Sequence, residues 1–127
     1  MSVTDTNRAV AEAFSGHRFS DTYGHLASSI SWTARGGSRT LGRDAVIAAC
    51  EASARELGRM TTEFLTFRSI ADGDSVAVET VGRYQEPDRD VSFVASVDLY
   101  DFADGKVTRI VSYATEIEDP GGNESGR

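Results

Sequence analysis

The feature that most constrains this chain is a change of hydrophobic period at Gly58. Before it, apolar residues recur at helical spacing; after it, they alternate with polar ones. The alternation fills four stretches, Thr61 to Ala71, Ser75 to Gln85, Val91 to Phe102 and Lys106 to Ile117. Their connections, DGD, EPDRD and ADG, are rich in turn formers and too short for the crossover that parallel neighbours require. Four antiparallel strands in a meander are therefore expected.

The first half supplies the helices. Ala9, Val10, Ala13 and Phe14 place a short amphipathic helix over Thr6 to Ser15, and Ser20 with Asp21 can cap a second one running to Ser28. Ile30 to Thr33 reads as a short strand entering the glycine-rich loop ARGGSRT. In GRDAVIAACEASARELG, Asp44 serves as cap or first-turn acid, and Val46, Ile47, Cys50, Ala54 and Leu57 make one stripe that Gly58 terminates. Helices followed by a long-stranded meander predict an α+β domain over residues 1–117, its three helices on one face of a curved antiparallel sheet. Residues 118–127, EDPGGNESGR, are expected to form a disordered tail.

At 127 residues the chain can bury a core without disulfides. A formal charge of −7 with scattered basic residues argues against nucleic acid and anionic membranes as partners. The single cysteine, Cys50, rules out an internal disulfide and fits a reducing compartment, so the cytoplasm is the expected location. No basic segment leads into an apolar stretch at the N-terminus, and nowhere do roughly 18 apolar residues run together as a membrane span needs.

In VSFVASVDLYDF one parity carries Ser92, Val94, Ser96, Asp98, Tyr100 and Phe102, the other Phe93, Ala95, Val97, Leu99 and Asp101. A strand apolar on both faces is covered on both, and a second subunit is the natural cover in so short a chain. A homodimer is expected. Asp98 stands mid-strand between Val97 and Leu99, where a charge is costly unless paired or neutralised. Two readings are open: a pocket acid that donates a proton or hydrogen bond to a ligand oxygen, or an Asp held by Ser96, a Thr or an Arg of a neighbouring strand.

The stretches LGRDAVIAACEA, VETVGRYQE and VASVDLYDFADGKVTRIVSY resemble the fold family of ketosteroid isomerase, SnoaL-like polyketide cyclases and nuclear transport factor two, from Asn7 to Glu116. The resemblance implies a cone-shaped fold enclosing a ligand cavity, with dimers through the outer sheet face. It makes Asp98 similar to the oxyanion-hole Asp of the steroid isomerases, but the position of their catalytic base falls on Thr33 or Ala34 and that of their tyrosine near Val10. The acids and Arg of the limonene epoxide hydrolase branch fall on Thr80, Gly82 and Ser112 or Thr115. The SnoaL-like cyclases, which use a cavity acid in ring closure, match through Asp98.

If even-numbered residues of the last three strands face inward, Val78, Thr80, Gly82, Tyr84, Val94, Ser96, Asp98, Tyr100, Ile110, Ser112 and Ala114 line the cavity. Such a lining suits a flat, mostly apolar molecule with a few oxygens. Tyr84 and Tyr100 are candidates to orient a carbonyl or hydroxyl, against an ordinary role as core tyrosines. Trp32 is a candidate wall, against simple packing. His25 is a candidate general base, against a half-exposed structural His. His17 and His25 have no third ligand at metal-binding spacing, and neither a metal nor a cofactor is expected. Arg35, Arg39 and Arg43 flank the glycine-rich loop as a possible anion dock or a solvated loop, and Cys50 reads as a small hydrophobe. Three functions follow: a cofactor-independent cyclase or isomerase with Asp98 as acid and His25 or a water as base; a non-catalytic domain that holds a small hydrophobic molecule or serves as an accessory subunit; or a structural dimeric domain whose cavity its own side chains fill, Trp32 and Phe102 among them.

Overall fold

The computed structural model describes residues 2–121. Helix α1 (Val3–Ser15) begins earlier than apolar spacing predicts, because Ser2 and Asp5 form a reciprocal capping box. Its buried residues Asn7, Val10, Ala11 and Phe14 follow helical spacing and face the sheet. The expected second helix is a 3-10 helix, Phe19–His25, after which β1 (Leu26–Ala34) starts four residues before Ile30. The glycine-rich loop closes on a short strand, β2 (Arg39–Leu41). Helix α2 (Arg43–Leu57) is capped by Gly42 and ends at Gly58, with Asp44 in its first turn.

Strands β3 (Thr61–Asp72), β4 (Ser75–Gln85), β5 (Val91–Ala103) and β6 (Lys106–Ile117) form the expected antiparallel meander. The sheet has six strands in the order β2-β1-β6-β5-β4-β3. The β1–β6 pairing is parallel, with Trp32 opposite Ile110 and Ala34 opposite Ser112, so the sheet is mixed where a purely antiparallel one was expected.

Two bulges decide which side chains face inward. Between Phe64 and Thr66 the β3–β4 register shifts, so Phe64 (opposite Gly82) and Phe67 (opposite Thr80) share the inner face despite opposite parity. Their rings meet edge to face at 5.4 Å. Between β5 and β6 the register shifts after Asp101, which brings Val107, opposite Phe102, onto the same buried face as Ile110, opposite Tyr100.

The core lies between α1, the 3-10 helix, the first half of α2 and the sheet, and includes Phe14, Leu26, Ile30, Val46, Val78, Tyr100 and Ile110. Cys50 belongs to it as a free thiol, and burial pushes its pKa up to about 12. Ala54, expected on the buried stripe of α2, is exposed, because the second half of this helix stands over the cavity rather than on the core. Among the described residues no helix is long and apolar enough to cross a membrane. Of the expected disordered tail, residues 122–127 lie outside the described residues.

Candidate functional site

The inner face of the sheet and the second half of α2 leave an open cavity of about 630 Å³ between them. Its sheet wall consists of Thr80 and Tyr84 from β4, Ser92, Val94, Ser96 and Asp98 from β5, and Trp32 and Ser112 from β1 and β6. Phe14, Ser15, His17 and Phe19 close one end, and Ala52, Ser53, Glu56, Leu57 and Met60 form the side under α2. Even-numbered residues of β5 therefore face inward, and Asp98 lies on the cavity wall.

One hydrogen-bonded chain fixes Asp98. Ser15 Oγ donates to Asp98 Oδ2 at 2.7 Å and lies 2.6 Å from the hydroxyl of Tyr100. Tyr100 is 1% exposed, and a buried hydroxyl that only accepted would leave its own proton without a partner. The chain therefore runs from Tyr100 to Ser15 to Asp98, and Asp98 receives it as an acceptor. Burial, then the nearby Asp98, hold the Tyr100 phenol well above its usual pKa, so it stays a donor. Among the described residues Asp98 Oδ1 has no hydrogen-bond partner.

Tyr84 reaches the cavity because of Gly82. A Cβ at position 82 would lie 2.6–2.8 Å from the Tyr84 ring and hydroxyl, so only glycine lets this ring fold across the strand. Burial and, second, Asp98 raise the Tyr84 pKa, keeping its hydroxyl protonated at neutral pH. Trp32 lines the cavity with its indole held in place: Nε1–H donates to Ser112 Oγ at 3.0 Å, and the ring meets Phe14 edge to face at 5.1 Å.

The expected site residues divide accordingly. Asp98, Tyr84, Trp32, Thr80, Ser96 and Ser112 are brought together on the cavity. Tyr100 and Ile110 are not among its lining: both are fully buried beneath it, and Tyr100 acts on the cavity only through Ser15. His25 closes the 3-10 helix next to Gly24, whose carbonyl accepts from Lys106 at the β5–β6 turn, and it takes no part in the cavity. His17 stands there instead, its ring 5.2 Å from Phe64 and 6.1 Å from Tyr84. Burial lowers its pKa, and Asp98 opposes that shift, so the imidazole is neutral at pH 7. Ser15 is not singled out in the sequence and His17 is weighed there only as a metal ligand, because both lie at the end of a helix, where periodicity carries no signal.

The arginines around the loop do not converge. Arg35 lies over the Tyr113 ring on the opposite face of the sheet, while Arg39 and Arg43 are exposed. Among the described residues no three His, Cys, Asp or Glu side chains gather as a metal site would require. What the cavity offers is the Asp98 carboxylate on the sheet, a second carboxylate, Glu56, paired with Arg59 on the α2 side, one neutral imidazole and several hydroxyls on apolar walls. That inventory suits proton transfer on, or orientation of, an oxygenated apolar molecule.

Comparison with known proteins agrees with this architecture. The structure resembles an NTF2-like protein of unknown function from Cytophaga hutchinsonii, at 23% identity and a TM-score of 0.81 over 90% of this chain and 100% of that one. It also resembles a proposed polyketide cyclase from Xanthomonas campestris (20% identity, TM-score 0.69, 88% and 92% of the two chains). An LEH-like epoxide hydrolase from M. tuberculosis is similar as well (20%, 0.67, 88% and 84%). At these identities the likeness is one of fold. No curated protein matches the chain in sequence. The model of the SnoaL-like domain matches residues 7–110, and the chain belongs to the SnoaL-like domain family, with the NTF2-like fold.

Proposed function

We propose that this protein is a cofactor-independent isomerase or cyclase acting on a small, mostly apolar ketone of polyketide-like character, with Asp98 as its proton-transfer group. The observation that carries this reading is the Tyr100–Ser15–Asp98 chain, which holds a carboxylate with one unengaged oxygen on the wall of a cavity that mixes apolar side chains with hydroxyls. Asp98 takes the proton from the carbon next to the carbonyl; the C–H electron pair becomes the C=C bond of an enolate, and the negative charge moves to oxygen. In isomerisation Asp98 returns the proton to a second carbon. In ring closure the enolate carbon bonds to another carbonyl of the same molecule, and Asp98 protonates the resulting alkoxide. From the sequence, Asp98 is expected as the acid and His25 or a water as the base; with His25 outside the cavity lining, Asp98 takes both roles in turn.

The test uses 2-tetralone, a flat apolar ketone with an acidic α-carbon, in deuterated water. Proton NMR should record deuterium entering the α-carbon, and Asp98→Asn should slow it by at least about a hundredfold. Trp32, the sole tryptophan, lines the cavity and reports binding by fluorescence. Quenching without exchange would favour the alternative, a binding domain without chemistry, and would overturn the enzymatic reading.

The same reading covers the outer sheet face with a second copy of the chain, the expected homodimer. Ile70, Ala77, Leu99 and Val111 form one cross-strand row on that face, with Ile70 67% and Leu99 42% exposed in the single chain. Sedimentation equilibrium should find a dimer, and Leu99→Asp a monomer that still folds, since a charge on this row is desolvated only in the dimer. A wild-type monomer would contradict it.

A further inference from the structure

His17 stands where the chain would be expected to carry glycine. The end of α1 closes by two reversed hydrogen bonds, Arg18 N–H to the Ala13 carbonyl at 2.8 Å and His17 N–H to the Phe14 carbonyl at 3.1 Å. This is the Schellman arrangement, and its penultimate residue adopts a left-handed backbone that glycine fills without steric cost. His17 occupies it with φ of 68°. Its ring points into the cavity and packs among Phe19, Phe64 and Tyr84 at centroid distances of 5.2–6.1 Å. Among the described residues no group hydrogen-bonds that ring, and Asp98 is close enough to act on it electrostatically. A strained, unpartnered imidazole aimed at a cavity is poor for folding and well placed for a ligand.

We propose that His17 is the hydrogen-bond donor for the carbonyl oxygen of the bound ketone, holding it opposite Asp98 while charge collects on that oxygen. The donor role deepens the enzymatic reading above and rests on it for the identity of the ligand. A neutral imidazole has one N–H to donate, and its donation strengthens as the oxygen becomes an enolate. Tyr84 and Asp98 are the titratable groups that face it from the sheet, and the remaining ring neighbours are apolar.

The experiment compares 2-tetralone with tetralin, the same skeleton without the oxygen, by quenching of Trp32. Wild type should prefer the ketone by about tenfold, the worth of one good hydrogen bond. His17→Gly should remove that preference, weakening the ketone about tenfold more than it weakens tetralin. His17→Gln, which retains an N–H, should restore most of the preference. A preference that survives in His17→Gly overturns the proposal. So does a Gln variant that behaves like Gly. Because the readout is binding, it stands apart from the Asp98 test: absent exchange with a His17-dependent preference condemns only the enzymatic reading.

Discussion

Phe14→Ala should destabilise the protein by about 3–5 kcal/mol. Phe14 is 3% exposed at the inner end of α1 and meets three other rings edge to face: Phe19 at 5.2 Å, Trp32 at 5.1 Å and Tyr100 at 6.0 Å. Truncation removes the transfer energy of a whole ring and leaves a void that three aromatic neighbours cannot fill without leaving their own partners. Two of those partners are functional, since Trp32 is tied to Ser112 and Tyr100 to Ser15. The loss is therefore read twice: in the urea midpoint, and in Trp32 emission that shifts to longer wavelength as water reaches the indole. A domain of this size has about 5–15 kcal/mol in all, so Phe14→Leu provides a milder companion that stays folded. A cost below about 1 kcal/mol for the alanine variant would mean that the cavity floor is organised without this ring.

The cavity end of the molecule is where local and long-range information part company. The meander was legible because hairpin turns and alternation are local; β4 and β6 match their expected bounds to the residue. The β1–β6 pairing was not, because no turn joins strands so distant in sequence and nothing in either one names its partner. Strict alternation placed Asp98, Thr80, Tyr84, Ser96 and Ser112 correctly on the inner face, and failed at the bulges. The shift near Phe102 brings Val107 inward against the alternation, whereas Ile110 keeps the inner-face register opposite Tyr100 and joins the core beneath the cavity because the helices pack on that part of the sheet. Phe67 goes inward in β3 for the same reason as Val107. The histidines show a different limit. His25 was favoured on an expected helix that proved to be a 3-10 turn, whereas His17 gains its position from a left-handed residue that the sequence does not announce.

Ser15 provides the sharpest test of the site, because its hydroxyl serves two neighbours at once. Ser15→Ala deletes the acceptor of the Tyr100 hydroxyl and the donor to Asp98 Oδ2. Asp98 is half-buried on an open cavity and can recover a bond from water; Tyr100, at 1% exposed, cannot. Most of the loss thus falls on one orphaned phenol, and the variant should be about 2–3 kcal/mol less stable. Tyr100→Phe removes that phenol together with its need, leaving Ser15 to donate to Asp98, and should cost only about 1 kcal/mol. The double variant Ser15→Ala/Tyr100→Phe should then be more stable than Ser15→Ala alone, a reversal that independent contacts cannot produce. Urea titrations of the four proteins measure it, and simple additivity would mean that water replaces the serine hydroxyl. The two single variants should also separate in chemistry. Tyr100→Phe leaves Asp98 gripped by Ser15, while Ser15→Ala releases the carboxylate from the one side chain that, among the described residues, hydrogen-bonds it. Deuterium exchange into 2-tetralone should therefore slow more in Ser15→Ala than in Tyr100→Phe, because a proton-transfer group must be held in line with the bond it breaks.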